Sequence, residues 1–445
     1  MAAANMALCV FFGLKNTPLA LVTATSHTQI NTLHRVVGYT AAFLVLLHAI
    51  FYTIHFGRAG RWATLIEADN IAGVGSGVGM IILLMGIFRD RGYEMFYLSH
   101  IAGFLFAAVL TGLHRPDWAK KLPVVMLFTA CIWALDRMIR VARMSYNLFN
   151  NEVTFHPLPG GGTRLLLKKT FIKAALPGSH CFLWIPHINF YQTHPFTIVN
   201  NDHSGLELVI QSREGFTKAV SEFATQHPGR TTRVSFDGPY GCLPETAVYD
   251  KLILVAGGSG AAFTFGLMNR ILNHSERITI QSIDFVWAVK YTEQLSWYSE
   301  HLHNLTRLGS NVNVTLYVTS EDLLSSATNA EQSLTGSEEI HGEMETALST
   351  TSISNYEEIS ETGNVQGLLS EAACKVVERV ANVRYKKMRT ETVIREGMQE
   401  VGSHQRALIA ACGPKSLMDA VRDSGDRCRS KLGHWVDVHC EDFSS

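Results

Sequence analysis

The sequence predicts a multi-domain membrane protein, with a bundle of transmembrane helices first and a soluble half of alternating strands and helices behind it. Two observations predict this class. Hydrophobic residues fill 47 % of the 445 positions, more than in an ordinary soluble chain. The excess is concentrated before residue 150, after which apolar and polar residues alternate between turn clusters such as PLPGGG and FDGPYG.

The first fourteen residues, MAAANMALCVFFGL, have neither the length of a span nor the basic start and cleavage pattern of a signal, and read as the tail of a helix. Residues 36–56, 71–88 and 95–113 carry no charged side chain, and each approaches the roughly 20 residues that cross about 30 Å of hydrocarbon. A fourth run, 122–135, extends to a full span if Asp136 and Arg137 pair or the arginine snorkels to the interface. Four spans are expected.

Two of these runs contain histidines in a repeated pattern. His34 and His48 in the first span are fourteen positions apart, and so are His100 and His114 in the third. Fourteen helical residues rise about 21 Å and turn through roughly 40° less than four full turns, so each pair lies on nearly one face, near opposite membrane surfaces. The first and third spans of a bundle run parallel, which lets His34 face His100 and His48 face His114. A facing pair supplies the two axial imidazoles of a b-type haem, and a bundle interior is where such groups are held. A single intramembrane histidine reads as a hydrogen-bonded packing residue; a doubled, equally spaced pattern does not. His27 and His55 lack partners at that spacing and read as loop or interface residues.

The formal net charge of −1, from 38 basic and 39 acidic residues, gives no general attraction to nucleic acid. Eight cysteines without a C-x-x-C pair argue against a disulfide framework or a structural zinc site.

In the soluble half, HPFTIVN (194–200) lies between the strand-like runs CFLWIPHI and LELVIQ, and GFT (215–217) opens a helix KAVSEFA. A small residue and free backbone N–H groups at a helix start suit a pyrophosphate. KLILVAGGSGAAFTFGLMNRIL reads as a buried strand over 251–256, a glycine turn and a helix. Gly257, Gly258 and Gly260, with Ser259 among them, allow close approach of a dinucleotide phosphate; the spacing departs from G-x-G-x-x-G, and a tight turn without ligand is the alternative. Lys290 ends the strand FVWAVK, where it is either a solvated lysine or the partner of a ribose 2′-phosphate, favouring NADPH over NADH. ALIAACGPKSLMDAV (407–421) gives a strand, a Cys-Gly-Pro turn and a helix. That places Cys412 at the carboxyl end of a strand, the ligand side of a doubly wound sheet, unless it is simply a buried cysteine.

Taken in order, the two histidine pairs, HPFT, GFT, GPYG (238–241), GGSG and CGP resemble the fungal ferric reductase family, relatives of the superoxide-generating NADPH oxidases. The likeness covers nearly the whole chain and includes KNTPLALVTATSHTQINTLHR and ALDRMIRVAR. It implies an α-helical transmembrane haem domain over 1–148, a ferredoxin-reductase-like antiparallel β-barrel for FAD over 149–247, and an α/β Rossmann-like NADPH domain over 248–445. By motif, His34, His48, His100 and His114 would ligate two haem irons. His194, Pro195, Phe196 and Thr197 would line the flavin ring, and Gly215, Phe216 and Thr217 the FAD phosphates. Gly257, Gly258, Ser259, Gly260, Lys290, Cys412, Gly413 and Pro414 would surround NADPH.

The implied activity is electron transfer from cytosolic NADPH through FAD and two haems to extracellular ferric or cupric chelates, at the plasma membrane, with an iron or copper permease as a possible partner. Dioxygen reduction by an NADPH oxidase and a non-catalytic haem-binding membrane protein are the alternatives. With the soluble half cytosolic, Arg137, Arg140, Arg143, Arg89 and Arg91 lie inside and Arg58, Arg61, Lys120 and Lys121 outside, a modest basic bias. His34 and His100 then form the inner pair. Three departures from the family stand out. Its members usually begin with further helices, and the first here reads as cut away. They commonly end in an aromatic residue that can cover the flavin, whereas this chain ends CEDFSS, so that hydride access or nucleotide affinity differs or Phe443 takes that place. Residues 321–370, rich in Ser, Thr and Glu, read as a mobile insert.

Overall fold

The computed structural model describes residues 1–14, 27–84, 93–114, 121–168, 175–190, 192–273, 280–306, 311–320, 381–402, 404–432 and 435–441. The insert expected over 321–370, together with Arg89, Arg91, Lys120 and Phe443, lies outside them. The chain forms two compact units, one built on Met1–Tyr146 and the other on Asn147–Pro239 and the chain from Leu243 onward.

The first unit is helical: α1 (Ala2–Gly13), α2 (His27–Arg58), α3 (Ala68–Leu84), α4 (Tyr93–Leu113) and α5 (Leu122–Asn150). Three described helices are long and apolar enough to cross a membrane: Ile30–Arg58, Met95–Leu113 and Leu122–Asn150. Of the span expected over 71–88, the structure describes the residues up to Leu84. Its described part, α3, has 17 residues, rising about 25 Å, and residues 85–88 lie outside the described chain.

Small residues let α3 and α4 approach closely. A Cβ on Gly79 would stand 3.1 Å from that of Ala107, and one on Gly75 would stand 2.7 Å from Leu110. Through this seam the Ser76 hydroxyl reaches the Ala107 carbonyl at 3.2 Å and the Thr111 hydroxyl at 2.6 Å. Among lipid tails such backbone proximity and polar bridging hold helices together where the hydrophobic effect does not. In α5, Asp136 is buried and pairs with Arg137 at 2.9 Å, with the guanidinium 5.9 Å from the Trp133 ring centre. That pair carries the apolar run beyond residue 135, as the sequence required.

The second unit holds two sheets. The first comprises β1 (Glu152–Leu158), β2 (Gly162–Lys168), β3 (His180–Trp184), β4 (His194–Asp202), β5 (Gly205–Gln211), β6 (Thr231–Arg233) and β7 (Ser235–Tyr240), in the order β6-β1-β2-β5-β4-β3-β7. It is the antiparallel, ferredoxin-reductase-like sheet. Strand alternation sends Val153, Phe155, Leu165, Leu167, Cys181 and Leu183 inward. Helix α6 (Phe216–Gln226) closes over them with Phe216, Val220 and Ala224, a stripe four residues apart.

The second sheet is parallel: β8 (Lys251–Gly257), β9 (Ser282–Val289), β10 (Val312–Val318), β11 (Asn382–Arg384), β12 (Ala407–Cys412) and β13 (Val436–Glu441), in the order β11-β10-β9-β8-β12-β13. Helix α7 (Ala261–Asn273) follows β8 and is buried from Ala261 to Ile271, because it lies between the two sheets. Gly266 makes this possible, since a Cβ there would overlap the backbone nitrogen of Gly178. Phe265, Phe285, Trp287 and Tyr298 fill the core beside it, with Phe265 stacked on Tyr298 at 4.5 Å. Each such side chain contributes about 1.5–3 kcal/mol by burial. Helices α8 (Ser299–Thr306), α9 (Thr390–Gln399) and α10 (Lys415–Leu432) complete the unit.

Candidate cofactor sites

The structure brings all four singled-out histidines into two facing pairs. His34 of α2 lies opposite His100 of α4, with ring centres 6.2 Å apart, and His48 lies opposite His114 at 6.1 Å. The two histidine-bearing helices therefore run parallel. An imidazole nitrogen sits about 2 Å from a bound first-row metal and roughly 1.1 Å from its own ring centre, so two rings flanking one metal are about 6.2 Å apart. Both pairs have that separation. Among the described residues no group of three or more His, Cys, Asp or Glu side chains gathers; the donors come in twos. A facing imidazole pair with no third protein donor beside it is a donor set that would suit a haem iron.

Backbone carbonyls fix the orientation of two of these rings. His34 Nδ1 is 2.8 Å from the Cys9 carbonyl, and His114 Nδ1 is 2.7 Å from the Asp69 carbonyl. A carbonyl only accepts, so Nδ1 carries the proton in each and Nε2 is left as the donor to a metal. The other two rings pack on aromatic neighbours, His48 on Tyr52 at 4.5 Å and His100 on Phe96 at 5.2 Å. The carbonyls of Cys9 and Asp69 escape sequence reading, because every residue type has a carbonyl.

The flavin-type motifs meet at one end of the antiparallel sheet. His194, Pro195, Phe196 and Thr197 open β4 and are half-buried, leaving a partly open surface for a flat ring. His194 stacks on Phe216 with ring centres 4.3 Å apart and planes 16° from parallel. Gly215, at φ +67°, is the N-cap of α6, and a side chain added there would meet nothing within 4 Å. No side chain caps the start of α6, as an anion site at a helix start needs. Two assigned side chains turn elsewhere. Phe216 points into the sheet core, so only its backbone is available to a phosphate. The Thr217 hydroxyl accepts the Arg213 backbone N–H at 2.9 Å, which ties down the loop in front of the helix.

The nucleotide-type motifs converge too. From β8 the chain adds β9, β10 and β11 to one side, then returns to place β12 on the other, so β8 and β12 flank the topological switch point where such sheets take ligands. GGSG follows one strand and CGP the other. A Cβ on Gly257 would stand 2.8 Å from Pro414, and one on Gly260 would strike the Cys412 carbonyl. Gly258, at φ +55°, lies 4.0 Å by the same measure from Gln211 at the end of β5, which brings the loop to the edge of the flavin-type sheet. The Gly258 carbonyl accepts the Trp287 indole N–H at 3.0 Å. Cys412 itself is buried in the core between the sheets, so its thiol is a packing group, and half-buried Gly413 and exposed Pro414 form the rim. Lys290 follows the last residue of β9, is exposed, and lies 5.0 Å from the Tyr291 ring centre.

One buried polar cluster had no sequence signal. Glu207 on β5 holds Arg164 of β2 at 2.7 Å and His301 of α8 at 2.9 Å. Burial works to raise the Glu207 carboxyl, but the hydrogen bond and charge of His301, with the Arg164 guanidinium, outweigh it and leave it below its ordinary value. Asn269 of α7 links His301, at 3.2 Å, to the Val199 carbonyl of β4, at 2.8 Å.

Comparison with known proteins gives three consecutive family matches. "Ferric reductase like transmembrane component" matches residues 1–111, "FAD-binding domain" residues 163–243, and "Ferric reductase NAD binding domain" residues 249–425. Among curated proteins, the Ferric/cupric reductase transmembrane component 1 of Candida albicans is 27 % identical over 323 residues, 70 % of this chain and 41 % of the relative. The Ferric reductase transmembrane component 4 of Saccharomyces cerevisiae is 25 % identical over 440 residues, 94 % of this chain and 58 % of the relative. This chain thus spans about half the length of the curated relatives it matches. Among solved structures, a ferredoxin NADP+ reductase from Neisseria gonorrhoeae with bound FAD and NADP aligns at TM-score 0.40 and 11 % identity, over 65 % of this chain and 97 % of that one.

Proposed function

Because the chain belongs to the fungal ferric reductase family, we propose that it carries electrons from cytosolic NADPH across the plasma membrane to extracellular ferric or cupric chelates. The observation that carries this reading is the pair of facing imidazole sets, 6.2 and 6.1 Å between ring centres, in a chain that also has FAD-binding and NAD-binding domains. When bound, FAD converts hydride chemistry into single-electron chemistry, and b-type haems relay single electrons through an insulating layer.

The residues of this chain have the supporting roles. His34 with His100, and His48 with His114, would hold the two haem irons. His194 to Thr197 present a partly open face to the flavin ring, and the α6 N-terminus with Gly215 receives its phosphates. Gly257, Gly258, Ser259 and Gly260, beside Gly413 and Pro414, admit the dinucleotide to the switch point, and Lys290 faces the ribose 2′-phosphate. The printed name of an Aspergillus oryzae relative, "Probable cell surface ferric reductase kap2", supports the plasma membrane, and uptake of the reduced metal by an adjacent permease fits that location.

The test is anaerobic reduction of a ferric chelate by NADPH with the purified, haem- and FAD-loaded protein, paired with superoxide yield under air. Chelate reduction without appreciable superoxide is expected. A b-haem spectrum that NADPH never reduces would overturn the reading in favour of a non-catalytic haem protein, and superoxide as the main product would favour an oxidase.

A further inference from the structure

Resting on the reading of the histidines as haem ligands, we infer that Gly13 and Gly73 are positioning residues, each uncovering a helix carbonyl that grips one axial imidazole. The same construction occurs twice. The Cys9 carbonyl takes the His34 Nδ1–H, and the Asp69 carbonyl takes the His114 Nδ1–H. Four residues beyond each carbonyl the chain has glycine, Gly13 after Cys9 and Gly73 after Asp69.

Helix geometry explains why the fourth residue matters. A carbonyl at position i points along the axis toward the N–H of i+4, and side chains lean back toward the N-terminus, so the side chain of i+4 covers the outer side of that carbonyl. Without a Cβ there, a bulky ring can bring its nitrogen up to that oxygen. A Cβ on Gly13 would stand 3.2 Å from His34 Nδ1, and one on Gly73 would stand 2.9 Å from His114 Nδ1. Both contacts fall on the nitrogen that makes the bond. Not every glycine of α3 is constrained in this way: a Cβ on Gly77 would meet only Val45, at an ordinary 3.9 Å.

The arrangement places one glycine-exposed carbonyl in each pair. In the His34–His100 pair it is held by α1, in the His48–His114 pair by α3, so each ligand-bearing helix is gripped by the helix that precedes it. A hydrogen bond from the remote nitrogen makes an imidazole a stronger donor and fixes its plane, which favours ferric over ferrous iron.

The experiment is a potentiometric titration of the haem bands in the full protein, comparing Gly13→Ala, Gly73→Ala and the control Gly77→Ala. Loss of an outer hydrogen bond weakens a ligand by about tenfold, which at about 59 mV per tenfold for one electron moves the potential up by roughly 59 mV. Gly13→Ala is expected to raise one haem component and Gly73→Ala the other, with Gly77→Ala unchanged. Unmoved potentials, or one common shift in all three variants, would overturn the inference. A measurement on the unaltered protein covers variants that fail to assemble: double resonance of the ferric haems detects the proton on each remote imidazole nitrogen. At least one slowly exchanging proton per haem in D2O is expected, and four equally fast ones would overturn the proposal. Absence of any b-haem spectrum in the unaltered protein would instead sink the haem reading itself.

Discussion

Glu207 shows how a single buried charge ties the two sheets of the second unit together. Its carboxylate is enclosed by Arg164 from its own sheet and by His301 from the nucleotide side. Because Asn269 donates to His301 Nδ1, the ring offers its Nε2–H to Glu207. Glu207→Gln keeps the shape, removes the charge and leaves the guanidinium of Arg164 facing a neutral amide. Breaking a buried pair from one side costs about 3 kcal/mol, and thermal unfolding followed by the fluorescence of buried Trp287 and Trp297 should report it near neutral pH. The pH dependence has a definite sign. The folded carboxyl lies below its ordinary value of 4.5, so its contribution is complete above that value and is lost as pH falls through the lower, folded one. The gap between the native protein and Glu207→Gln should therefore be constant above about pH 4.5 and narrow below it. A gap that persists unchanged in acid would refute the electrostatic origin.

Helix α7 makes the corresponding argument for an element. Placed between two sheets, it is buried along both flanks, and its closest approach is where Gly266 meets Gly178. Gly266→Ala inserts a methyl group where backbone already sits, and overpacking of this kind costs about 1–3 kcal/mol. The expected result is a lower unfolding temperature of the second unit; unchanged stability would mean that the sheets separate at no cost. Elements of this sort were the legible part of the sequence. Strands β8 and β12 are covered on both faces and read as continuous apolar runs, and the glycine and Cys-Gly-Pro turns after them mark the switch point. The histidine pairs were legible because helix periodicity turns a spacing of fourteen into a common face. What escaped depends on long-range contact. The direction of Phe216, the burial of the Cys412 thiol, the grip of Cys9 and Asp69 on the imidazoles, and the Arg164–Glu207–His301 cluster all join residues far apart in the chain, and no local pattern encodes them.

At the scale of the whole molecule, the proposed activity moves charge, and that has a measurable consequence. The two imidazole pairs are fourteen residues apart along parallel helices, about 21 Å of rise, which is most of the roughly 30 Å hydrocarbon layer. An electron passing from one pair to the other without an accompanying ion builds a potential that opposes the next. Each 100 mV costs about 2.3 kcal/mol per charge, and about 1.36 kcal/mol is tenfold in rate, so a sealed compartment should throttle turnover well over tenfold. The prediction is made for the loaded protein in sealed vesicles, with NADPH outside and a ferric chelate trapped inside. Chelate reduction should start fast, slow within a few turnovers as the interior becomes negative, and recover when valinomycin and potassium let compensating charge enter. In detergent the ionophore should do nothing. If NADPH is consumed in the vesicles at one steady rate, with or without valinomycin, the electrons never cross the layer, and the facing histidines serve some purpose other than transmembrane conduction.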